Sequence, residues 1–219
     1  MATASDPVVI VSAARTPLGR FMGDLSSFSA HQLGSHVIGA AVERAKLSPD
    51  RIEEVFMGCV LPAGQGQAPA RQAARGAKLP DATGATTINK VCGSGMKATM
   101  LAHDIINAGS AGIVVCGGME SMSNAPYLLA KARGGYRAGH DRIIDHMFMD
   151  GLEDAYETGR SMGDFGEATA EAYQFTRADQ DAYAMDTDAR TQGGGRRCIQ
   201  GRNRADHRRR EDRTSRDRQ

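Results

Sequence analysis

The sequence predicts an α/β fold: a mixed, mostly parallel sheet with helices on both faces, followed by a loop-rich subdomain. Two observations predict it. Short β-branched runs alternate with helix-length segments in the order β-α-β-α-β-α-β as far as Cys116, the pattern of strands joined by helical crossovers. After Met119 that alternation stops, and residues 120–165 hold many Gly, Met, Asp and Tyr and no clear strand.

Pro7 to Ala14 (PVVIVSAA) reads as a buried strand, broken by Arg15-Thr16-Pro17, with Gly19 and Gly23 in the loop beyond. Ser29 is placed to cap a helix from Ala30 to about Lys46, with Leu33, Val37, Ala40, Ala41 and Ala45 at helical spacing. Glu54 to Val60 is a second strand. The loop LPAGQGQAP leads into a short helix over Ala70–Lys78, and Ala85 to Asn89 is a third strand. Ser94 to about Asn107 is helical, with Gly109 closing it. Ala111 to Cys116 is a fourth strand, ending in Gly117-Gly118. Glu167 to about Gln192 is helical again, with Thr176 as a cap.

The bulk numbers are those of a soluble globular chain: 219 residues, 24% charged and 41% hydrophobic. No apolar run approaches the roughly 18 residues of a membrane span. No basic stretch precedes the first apolar run, so the N-terminus does not read as a secretory signal. Cys59, Cys92, Cys116 and Cys198 form neither a CxxC nor a disulfide framework, which predicts a reducing, cytoplasmic setting. The net charge of +1 is unevenly spread. From Gly193 on, ten arginines stand against four acids, a charge of +6 that leaves −5 on the rest.

The chemistry concentrates at Asn89-Lys-Val-Cys-Gly-Ser-Gly-Met-Lys-Ala98. A strand ends, Cys92 follows, and Gly-Ser-Gly opens a helix. Unpaired N–H groups and the positive dipole end of a helix favour an anion there. A thiol so placed has a lowered pKa and more nucleophilic thiolate, and the same N–H groups can hold the oxyanion of a tetrahedral thioester intermediate. The alternative is a small apolar side chain packed in a tight βα turn. Cys59 and Cys116, within or at the ends of apolar strands, read as packing residues. His31 and His36 are five apart on one helix, a poor ligand spacing. His140 and His146 lie in the loop region without a partner motif, so no metal is expected.

Four separated segments resemble the thiolase family: ARTPLGRFMGDL, VCGSGMKA, GGMESMSNAPY and DGLEDAYETGRSMG, in order, within residues 6–192. The resemblance implies one thiolase-type α/β half over residues 1–119 and part of a loop domain over 120–192, on the coenzyme A side. It implies that Cys92 accepts the acyl group, and that Leu152 and Met162 contact the pantetheine arm of coenzyme A; ordinary loop packing is the other reading of those two. Gly117-Gly118 and Met119-Glu120-Ser121 are expected near the same pocket. The implied activity is acetyl-CoA C-acetyltransferase, joining two acetyl-CoA into acetoacetyl-CoA plus CoA or running the reverse thiolysis. Coenzyme A thioesters are then substrates, with no cofactor, and the full-length family forms homo-oligomers. A longer-chain 3-ketoacyl-CoA thiolase, a ketoacyl synthase and a non-catalytic fragment binding coenzyme A or a partner stay open beside it. VCGSGMKA and GGMES favour thiolase over synthase.

The match stops before the family's remaining machinery. A GHP-type histidine, a CxGxG-type cysteine and an NEAF-type asparagine belong to the family's C-terminal half, and none of those motifs occurs in this sequence. His103, eleven residues past Cys92 on one helix, lies about 16 Å along its axis, beyond the reach of a general base. Three readings fit residues 193–219: a solvated, disordered basic tail, an Arg-rich nucleic-acid arm, and out-of-frame translation. With one permitted codon per residue, Gly193–His207 reads one nucleotide later as Ala-Ala-Val-Asp-Gly-Ala-Phe-Lys-Ala-Glu-Ile-Ala-Pro-Ile-Thr. That is a thiolase-like continuation, and it favours a frameshift near Gln192. Sequencing the gene past the Gln192 codon is expected to find thiolase His and Cys motifs in another frame; an unrelated sequence there sinks the idea.

Overall fold

The computed structural model of the chain describes residues 7–198. Of these, residues 7–14 and 18–159 form one compact unit, and residues 15–17 with 160–198 a second.

In the first unit, helix α1 (Ala30–Ala45) begins at a capping box: the Ser29 hydroxyl accepts from the Gln32 N–H, and the Gln32 side chain accepts from the Ser29 N–H. Its buried stripe is Ala30, Gly34, Ile38 and Val42. The sequence had placed the stripe on Leu33, Val37, Ala40, Ala41 and Ala45, which turn out to be the half-buried flank. Close approach explains the shift. A Cβ at Gly34 would lie 2.6 Å from Met119 Sδ and 3.1 Å from Ala73 Cβ, so the absence of a side chain sets the contact line. Helix α2 (Pro69–Gly76) has proline in its first turn, where no N–H is needed, and packs on α1 through Ala70, Ala73 and Ala74.

Strands β1 (Glu54–Gly58), β2 (Gly84–Ile88) and β3 (Val114–Gly118) form a parallel sheet in the order β2-β1-β3, with Phe56 opposite both Thr86 and Cys116. Strand β1 is central and alternates between two cores. Val55, Met57 and, just beyond the strand, Cys59 enter the cluster built by α1 and α2. Phe56 faces the other way, onto Ala98 and Ala102 of helix α3 (Ser94–Asn107). Helices therefore cover both faces, as the sequence predicts. The outer side of α3 leaves Met96 and Met100 exposed beside Thr99, His103 and Asp104.

Pro7–Ala14 corrects the first expected strand. Val9, Ile10 and Val11 are 65%, 82% and 69% exposed, and no described strand pairs with them. β-branched residues favour extended chain only where a neighbour takes up the ladder hydrogen bonds. The loop region holds a short ladder that the sequence did not reveal: β4 (Tyr127–Leu128) runs antiparallel to β5 (Ile144–Asp145), and a π-helical turn covers Phe148–Leu152.

The second unit carries α4 (Met162–Ala172) and α5 (Arg177–Cys198). Ser161 and Asp164 form a capping box on α4. Thr176 caps α5 as expected: its hydroxyl accepts from the Asp179 N–H, and the Asp179 carboxylate accepts from the Thr176 N–H. The last turn of α5 runs into the basic segment that starts at Gly193. Residues 199–219, most of the tail expected to be disordered, lie outside the described residues. Among the described residues no helix is long and apolar enough to cross a membrane.

Candidate active site

The three strands end together at the carboxyl edge of the sheet, the side where open α/β sheets bind ligands. Past β1 come Cys59 and Val60, past β2 Asn89 to Cys92, and past β3 Met119 and Glu120. Hydrogen bonds tie these ends together. The N–H of Met119 donates to the Gly58 carbonyl at 2.9 Å and that of Cys59 to the Ile88 carbonyl at 2.9 Å.

Cys92 is exposed and precedes Gly93, the cap residue of α3. The turn that presents it is strained. Val91, a β-branched residue, has φ +46°, a left-handed conformation that costs such a side chain about 1–3 kcal/mol. Three local groups hold it. The Val91 N–H donates to Asn89 Oδ1 at 2.9 Å, and its carbonyl accepts from the buried Ser94 hydroxyl at 2.5 Å. Ser94 Oγ also accepts from the Lys90 N–H at 2.8 Å. The N–H groups of Gly93 and Ser94 donate to the carbonyls of Lys90 and Val91, so these two amides are committed to the turn and not free for an oxyanion. At Gly95, α3 packs on the end of β3: a Cβ there would make ordinary contact, 3.7 Å, with the Gly117 carbonyl group. The structure thus brings Gly117-Gly118 beside the start of α3, next to the turn that carries Cys92.

Glu120 is half-buried, and its carboxylate accepts from the N–H groups of Val60 at 2.8 Å and Leu61 at 3.0 Å. Cys59 donates to the same carboxylate at 3.5 Å, and burial, then the Glu120 charge, pushes its thiol up to about 11. At pH 9, the ordinary thiol value, Cys59 therefore stays neutral and shielded. Limited alkylation with peptide mapping is expected to label Cys92 ahead of Cys59 and Cys116. Preferential labelling of Cys59 or Cys116 would overturn the choice of Cys92.

Leu152 ends the π-helical turn in the first unit and is half-buried. Met162 opens α4 in the second unit and is 40% exposed. His146, read from sequence as lacking a partner, is buried, and its Nδ1 is hydrogen-bonded to the Asp150 carboxylate within that π-helical turn. Its partner sits at i+4, a spacing that could have signalled the pair. Among the described residues, no three or more His, Cys, Asp or Glu side chains are grouped to hold a metal.

A parallel sheet with helices on both faces, presenting an exposed cysteine from a strained β2–α3 turn, places the chain in the α/β class. The sequence profile of the thiolase N-terminal domain matches residues 8–193. The chain is 54% identical over 178 residues to acetyl-CoA acetyltransferase 1 of Arabidopsis thaliana, covering 81% of this chain and 43% of that protein. It is 53% identical to the acetyl-CoA acetyltransferase of Cupriavidus necator, covering 81% and 45%. The crystal structure of the Acat5 thiolase from Ascaris suum in complex with coenzyme A superposes with a TM-score of 0.83 at 40% identity, covering 87% of this chain and 49% of that one. The chain belongs to the thiolase family. It spans less than half the length of these relatives.

Proposed function

We propose that the chain carries the nucleophile-bearing part of an acetyl-CoA C-acetyltransferase. The Cys92 sulfur attacks the thioester carbonyl of acetyl-CoA; the carbon–sulfur bond to coenzyme A breaks, and the coenzyme A thiolate leaves and takes up a proton. Attack on acetyl-Cys92 by an acetyl-CoA enolate then gives acetoacetyl-CoA, and the reverse sequence is thiolysis. The observation that carries this reading is the exposed Cys92 thiol on the strained turn between β2 and α3. Leu152 and Met162 are proposed to contact the pantetheine arm. The boundaries 1–119, 120–192 and 193–219 are proposed as the nucleophile half, the coenzyme A side of the loop domain and the out-of-frame tail; the family profile ends at residue 193.

A role in fatty acid metabolism, a homo-oligomeric full-length form and a cytoplasmic setting belong to the same proposal. Cys59, Cys92 and Cys116 are free thiols, which favours a reducing compartment. Similar proteins bear both cytosolic and mitochondrial names. The test is acetyl transfer: the 219-residue chain incubated with acetyl-CoA is expected to carry an acetyl group on Cys92 in peptide mass spectra, and the Cys92→Ser variant none on the other thiols. Acetyl found equally on Cys116 would remove the proposal.

A further inference from the structure

We propose that Asn89 and Ser94 are positioning residues that hold Val91 in its left-handed conformation and thereby aim the Cys92 sulfur, with Glu120, just past β3, bracing Asn89 through Val60. This rests on Cys92 being the acyl acceptor. A valine at φ +46° relaxes toward an ordinary conformation unless its surroundings over-determine it. Here both backbone groups of Val91 are gripped by side chains, its N–H by Asn89 and its carbonyl by Ser94. Ser94 lies in the first turn of α3 and is 4% exposed, so its hydroxyl is fixed by packing. Asn89 is fixed from the opposite side: its Nδ2 donates to the Val60 carbonyl at 3.4 Å, and the Val60 N–H is held by Glu120. The chain of contacts runs from Glu120 through Val60 and Asn89 to Val91, one residue before the nucleophile. It joins the GGMES segment at the end of β3 to the VCGSGMKA segment of the β2–α3 turn.

Relaxation at Val91 would swing the next residue, and a displacement of about 1 Å can cost about a hundredfold in a positioned reaction. Reaction with a small, freely approaching alkylator needs exposure only.

The test uses the full 219-residue chain with two probes read at Cys92 by peptide mass spectrometry. S-phenyl thioacetate transfers its acetyl to the sulfur, releasing thiophenolate, while the thiol proton passes to solvent. Iodoacetamide reports exposure, and its absence from Cys59 reports an intact core. Asn89→Ala and Ser94→Ala are each expected to slow acetyl transfer about tenfold, leaving iodoacetamide labelling of Cys92 within about twofold and Cys59 protected. Glycine adopts the left-handed conformation without penalty, so Val91→Gly added to Asn89→Ala is expected to restore most of the transfer. Unchanged transfer in both single variants overturns the positioning role, as does a double variant no better than Asn89→Ala. An unaltered chain that takes iodoacetamide but no acetyl at Cys92 removes the acyl-acceptor reading, and the positioning role with it.

Discussion

Given acetoacetyl-CoA and CoA, the purified 219-residue chain is expected to consume the 3-ketoacyl thioester no faster than its Cys92→Ala variant. On the proposed reading, acylation of Cys92 is the one step for which the chain supplies a nucleophile. Condensation needs an enolate, and thiolysis needs a base to activate the incoming thiol. General acid–base groups each contribute about 10²–10⁴-fold, and the two that the family resemblance implies lie in motifs this sequence lacks. Neither His103 nor His146 replaces them. His103 is exposed on α3, hydrogen-bonded to Asp104 at 3.3 Å and Asn107 at 2.9 Å, on the helix that carries it about 16 Å from Cys92. His146 is buried, and Asp150 takes its Nδ1. Turnover near ordinary enzyme rates, about 10 per second, would show that the nucleophile turn is enough by itself.

The sheet and its helices were legible because their signals are local. The βαβ alternation, the Ser29, Thr176 and glycine caps and the apolar runs at β1, β2 and β3 each lie within a few residues of what they specify. Two things were not legible for one common reason: they depend on partners distant in sequence. The run at Pro7–Ala14 has the composition of a strand, but pairing decides whether it becomes one. The stripe of α1 is set by how closely Met119 and Ala73 approach Gly34, which no periodicity in α1 records. At the site, the turn that carries Cys92 could be picked out, as a strand end followed by Gly-Ser-Gly at a helix start. The clamp on Val91 could not, because Glu120 reaches it through Val60, sixty residues upstream. Asn89 carried a partial signal, since asparagine side chains often bond the backbone two residues on and hold a turn.

Two glycine substitutions with opposite expected signs test the packing of α3 on the sheet and the helix backbone of α1. A Cβ at Gly58, the last residue of β1, would lie 2.7 Å from the Ser94 carbonyl carbon and 2.8 Å from the Gly95 nitrogen. These are backbone atoms of the first turn of α3, with no flexible side chain to swing aside. Gly58→Ala must therefore push α3 away from β1, and overpacking of this kind costs about 1–3 kcal/mol. The displacement falls on the turn that carries Cys92, so acetyl transfer to Cys92 is expected to drop in whatever fraction stays folded. Gly39, in the interior of α1, has nothing within 4 Å of its would-be Cβ. Gly39→Ala is expected to stabilise by about 0.5–1 kcal/mol, because alanine loses less backbone entropy in a helix. Urea unfolding of the two variants beside the parent chain measures both. A Gly58→Ala midpoint equal to the parent's would mean that α3 does not rest on the β1 backbone.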